Sequence, residues 1–163
     1  MSAANLSVLR GRPRVLFVTN VAAPYRLEVF RELGRRFDVR YCFFGEPADR
    51  GWSTMIAETD AGLDVVRPRG RLVLGTRVSS ELVRYLRDES FDVLVKCING
   101  KFALLASLVV WKMLRRRPLV LWTELWSHPG TPVHRLTRPL VRQVYRRADA
   151  IVAQGAHVKR FLV

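Results

Sequence analysis

Strand-like and helix-like segments alternate along this 163-residue chain, and the alternation predicts one domain built on a doubly wound, mostly parallel α/β sheet of six to seven strands. Two further observations support that class. Segments 91–97 (FDVLVKC) and 118–123 (PLVLWT) are nearly continuous in apolar residues, as strands buried on both faces are. Polar turns marked by proline or glycine follow several strands, at the edge where a Rossmann-like sheet collects its ligands.

The first unit is residues 14–33, RVLFVTNVAAPYRLEVFREL. An apolar strand at 15–18 leads through a turn at 19–25 into a helix whose Leu27, Phe30 and Leu33 recur at three-residue spacing. Residues 1–13 precede it as a flexible segment, and 14–163 make up the domain. Residues 37–44 (FDVRYCFF) form the second strand, 45–62 a long loop and 63–66 a short third strand. Residues 68–77 read as a further loop. A helix at 80–89 starts at a Ser79 or Ser80 cap and carries Leu82, Val83 and Leu86 on one face.

The fourth strand, 91–97, ends in the turn Ile98, Asn99, Gly100. A mostly apolar helix at 101–117 closes on Arg115, Arg116 and Arg117, which complement the negative end of its dipole. The fifth strand, 118–123, opens into the polar loop 124–132 (ELWSHPGTP). A helix at 133–147 sets Val133, Leu136, Leu140, Val141 and Val144 against a stripe of Arg135, Arg138, Arg142 and Arg146, with a kink expected at Pro139. A sixth strand at 149–153 and a helix from 156 complete the order.

The composition, 49% hydrophobic and 26% charged, is that of a folded chain with room for its own core. Charge is the departure from average. The net +14 is lopsided, with 15 basic and 12 acidic side chains in residues 1–92 against 13 and 2 in residues 93–163. Such a chain is drawn to polyanions, whether anionic lipid, phosphorylated substrates or nucleic acid. Lys112, Arg115, Arg116 and Arg117 with the arginine stripe form the candidate contact surface. A basic, non-catalytic module binding nucleic acid or another polyanion is the competing reading. The absence of helix-turn-helix, zinc-finger or aromatic-platform patterns argues against nucleic acid.

Cys42 and Cys97 fall inside predicted strands with no His or Cys at metal-ligand spacing, so they read as buried free thiols in a reducing compartment, without a metal. The amino terminus has no apolar core of a secretory signal, and the longest apolar run, 102–111, is half of the roughly 20 residues that span a bilayer. A cytoplasmic protein, at most peripheral on the inner face of a membrane, is the expectation.

No G-x-G-x-x-G or G-x-x-x-x-G-K-[ST] pattern occurs, which leaves no dinucleotide or P-loop fingerprint and no cofactor to expect. What remains is a set of polar groups at strand ends: Asn20, Tyr25 and Arg26; Asn99 and Lys101; Glu124, Trp126, Ser127 and His128; Gln154 and Gly155. Their convergence on one edge suits a hydroxylated, sugar-like ligand, which needs many hydrogen bonds and some aromatic surface. Glu124 and His128 form the candidate catalytic pair, a carboxylate and an imidazole able to orient and deprotonate an acceptor hydroxyl.

Three stretches carry a resemblance: RVLFVTNVAAPYRLEVFRELGRRFDVRYCFF, PLVLWTELW and YRRADAIVAQGAHVKRFLV. Together, and above all in N-x-x-x-PYR and RRADAIVA, the chain resembles the N-terminal domain of family 4 glycosyltransferases of the GT-B fold. The resemblance implies a domain that holds a sugar or lipid-linked acceptor and faces a C-terminal domain gripping a nucleotide-sugar donor, with the first turn bordering the donor's sugar and phosphates. It puts Asn20, Pro24, Tyr25 and Arg26 along the cleft and Glu124 near the transfer. The chain departs from the pattern in having no Gly-Gly turn after the first strand. It also stops at Val163 without a donor-binding half, which implies a missing domain or a split subunit, and no transferase activity for the chain alone.

Overall fold

The computed structural model describes residues 11–19, 24–44, 62–73, 76–88, 90–98, 112, 117–123 and 132–162. In chain order these give β1 (Arg14–Thr19), a 3-10 turn (Pro24–Arg26), α1 (Leu27–Arg36), β2 (Asp38–Phe43), β3 (Asp64–Val66), β4 (Arg71–Val73) and β5 (Thr76–Val78). Then follow α2 (Ser80–Asp88), β6 (Val93–Ile98), β7 (Leu119–Thr123), α3 (Pro132–Arg147), β8 (Ala150–Ala153) and α4 (Ala156–Leu162).

Six strands form one sheet in the order β3-β2-β1-β6-β7-β8, and every pairing in it is parallel. The predicted doubly wound fold is therefore present. The chain builds outward from β1 in one direction through β2 and β3, then returns to the other side of β1 with β6. The carboxyl ends of β1 and β6 thus flank the point where strand order reverses.

Side chains alternate between two buried layers, which explains the unbroken apolar runs. Leu16, Val18, Cys42, Leu94, Leu119 and Leu121 meet Leu82 and Leu86 of α2 and Val144 of α3 on one face. Phe17, Val39, Tyr41, Phe43 and Cys97 meet Phe30 of α1 on the other. The second layer is an aromatic cluster, with Phe30 centred 5.2 Å from Phe17 and 5.0 Å from Tyr41. The Tyr41 hydroxyl donates to the Phe30 carbonyl at 2.6 Å, and burial drives its phenol far above the usual range.

Aspartates staple the amino edge of the sheet. The Asp92 carboxylate, just before β6, accepts the Arg14 backbone N–H at 2.8 Å. The Asp149 carboxylate, just before β8, accepts the Leu119 N–H at 2.7 Å and also the Lys112 ammonium. The aspartate of the RRADAIVA stretch therefore supplies the acceptor that starts the neighbouring strand. Burial works against its charge, but the bonds from Lys112 and the Leu119 N–H outweigh burial and hold the Asp149 carboxyl below its usual range.

Ser79 is the cap of α2, with its hydroxyl accepting from the Leu82 N–H at 3.1 Å and donating to the Arg69 carbonyl at 2.6 Å. One segment differs from expectation. Residues 68–77 are not all loop, because β4 and β5 pair antiparallel as a separate hairpin.

The helix assignment of α3 continues through Pro139. Leu136, expected on its apolar side, is instead 83% exposed. Among the described side chains of α3, Val144 is buried and Val141 and Tyr145 pack against the first core layer, whereas Leu136 does not. All but the last residue of the loop expected at 45–62 and most of the expected helix at 101–117 lie outside the described residues.

Candidate functional site

The carboxyl edge at the reversal point is the candidate site. β1 reaches it with Thr19, whose carbonyl accepts the Phe44 N–H at 3.2 Å and so ties the end of β1 to the end of β2. The turn Pro24–Arg26 then leads into α1. Proline fixes the backbone at the start of this turn, and the two residues after it project differently. Tyr25 is 65% exposed, whereas the Arg26 guanidinium folds back, 5.5 Å from the Tyr25 ring centre and 3.8 Å from the Cys97 sulfur. Arg26 therefore joins the first turn to the end of β6 across the reversal point.

Next to Cys97 lies a group that sequence reasoning passed over. Lys96 is wholly buried on β6, in register with Val18 of β1 and Leu121 of β7. Its ammonium donates to the Cys97 carbonyl at 2.5 Å and sits 4.7 Å from the centre of the Phe44 ring. Burial lowers its pKa to about 7, a shift that the thiols of Cys97 and Cys42 only partly oppose. The signal was present in the sequence as a single charge inside the apolar run VLVKC.

β7 adds two more polar groups. The Trp122 ring packs against Phe17 at 5.8 Å, and its indole N–H is buried with no hydrogen-bond partner among the described residues. The Thr123 hydroxyl lies 3.3 Å from the Tyr145 hydroxyl of α3. Burial raises the Tyr145 phenol, and the bond to Thr123 opposes that shift. The Thr123 carbonyl accepts the Gln154 N–H at 3.2 Å, bringing the end of β8 alongside. Gly155 follows at φ +100°, and a Cβ there would come within 3.0 Å of the His157 ring. The positive φ is what calls for glycine here, with the His157 ring close enough to have to shift for a Cβ.

Of the residues singled out from sequence, Pro24, Tyr25 and Arg26 stand at this edge. Asn20, Asn99, Lys101, Glu124, Trp126 and His128 lie outside the described residues, as do Arg115 and Arg116. Arg135, Arg138, Arg142 and Arg146 are all exposed on α3.

Lys112 and Arg117 differ from that expectation. Lys112 bonds the Asp149 carboxylate and the Arg117 carbonyl, and its side chain is only 14% exposed. The Arg117 guanidinium donates to the Phe91 carbonyl and lies 4.7 Å from the Phe91 ring centre. Both serve the amino edge of the sheet, because carbonyls and an aspartate there need donors.

A concavity of about 960 Å³ lies elsewhere, between Arg31, Gly34 and Arg35 of α1 and the starts of β2 and β3 at Asp38 and Asp64. It is at the amino end of the strands, away from the edge where α/β sheets bind ligands. Among the described residues no group of three or more His, Cys, Asp or Glu side chains is gathered to hold a metal ion.

Comparison with solved structures finds a crystal structure from Listeria monocytogenes, of a protein assigned as a UDP-N-acetylglucosamine 2-epimerase, with a TM-score of 0.60 at 12% identity. The match covers 93% of this chain but only 42% of that one, so the chain spans less than half of the protein whose fold it shares. No curated protein matches the chain. The family described as glycosyl transferase 4-like domain matches residues 21–163, from within the first turn to the end of the chain. That span takes in the Pro24–Arg26 turn and nearly all of the parallel sheet, and the chain belongs to the glycosyl transferase 4-like family, with the architecture of a GT-B N-terminal domain.

Proposed function

We propose that this chain is the acceptor-side half of a glycosyltransferase that moves a sugar from a nucleotide-sugar donor to a hydroxyl acceptor. The observation that carries this reading is the reach of Arg26 from the first turn to Cys97, which builds a cationic and aromatic floor at the reversal point. Tyr25 and Trp122 supply ring surface for a sugar. Glu124, the residue after the end of β7, and His128 are the acid–base pair of the proposal. The donor is held by a facing domain or partner subunit, so the cleft is complete only in their company.

The 163-residue chain alone is expected to release no nucleoside diphosphate from a panel of nucleotide sugars. Measurable turnover by this chain would overturn the half-enzyme reading. The acceptor side is tested separately by NMR of the chain with mono- and disaccharides. Sugars are expected to move the Trp122 indole N–H resonance, and a spectrum unchanged at millimolar sugar would count against an acceptor cleft here.

The surface of α3 supports a membrane partner on the cytoplasmic side. Arg135, Arg138, Arg142 and Arg146 are exposed along one side of α3, and Leu136 is exposed on the same helix, so it offers both cations that anionic headgroups attract and an apolar side chain. Among the described residues no helix is long and apolar enough to cross a membrane, so the proposed contact is peripheral. Sedimentation with anionic vesicles, lost in neutral vesicles and at raised salt, is the expected outcome. Equal binding to both vesicle types would remove the membrane proposal.

A further inference from the structure

We draw no further inference here: the strongest candidate, the concavity of about 960 Å³ between the carboxyl end of α1 and the starts of β2 and β3, carries nothing, because the Arg31, Arg35 and Asp64 charges on its walls are met by Glu28, Glu32 and Arg40 within the fold and nothing in the structure shows what covers it.

Discussion

Lys96→Met is expected to stabilise the protein by about 3–4 kcal/mol at pH 7 and below, the reverse of what most core substitutions do. A depressed lysine pKa means that between about 7 and 10.5 the unfolded chain binds a proton that the folded chain does not. Stability therefore rises with pH across that window, and below it the full cost of the buried charge is present. At roughly 1.4 kcal/mol per pKa unit that cost is on the order of 5 kcal/mol, and losing the bond to the Cys97 carbonyl returns about 1 kcal/mol of it.

Methionine keeps the length and apolar stem without the charge. Urea denaturation at pH 6.5 and 9.5 should show the gain shrinking toward zero as the pH approaches 10.5. Thiols shared by both proteins cancel in the difference. A destabilised variant, with the same pH profile as the wild type, would mean that the Lys96 charge has a counter-ion in the fold.

Phe30→Ala is the substitution expected to do the most harm, a loss of about 3–5 kcal/mol. Phe30 is wholly buried and is the side chain of α1 that meets Phe17, Tyr41 and Phe43 together, with centroid distances of 5.2, 5.0 and 6.2 Å. Its removal deletes edge and tilted ring contacts and leaves a cavity that strands on a rigid sheet cannot collapse to fill. A domain stable by roughly 5–15 kcal/mol cannot easily absorb that.

Tyr41→Phe is the control. It keeps every ring and forfeits only the bond to the Phe30 carbonyl, for about 1 kcal/mol. The two variants should separate clearly in chemical denaturation midpoint. Similar midpoints would mean that α1 is held by its polar contacts rather than by this cluster.

Much of the architecture could be read from residue pattern. The strands at 37–44, 118–123 and 149–153 and the helices at 80–89 and 156–162 stand within a residue or two of their expected bounds. The causes are local: β-branched and aromatic runs for the strands and Ser79 as a cap for the helix at 80–89. The hairpin of β4 and β5 was missed because three-residue strands carry too little periodicity to register. The outward position of Leu136 was missed because a helical period states which residues share a face, not how far that face stays in contact.

The site divides along the same line. The sequence by itself determined that polar residues would follow the strands, and that the PYR turn would leave the first of them, since both depend on chain order alone. Only the tertiary structure decided that Arg26 turns inward to Cys97 while its neighbour Tyr25 points out, and that Lys112 and Arg117 bond the amino edge of the sheet. It also decided that Lys96 is sealed beneath Phe44. Charge in a sequence carries a sign but no depth. The cost of that charge follows only once parallel pairing with β1 and β7 has closed around it.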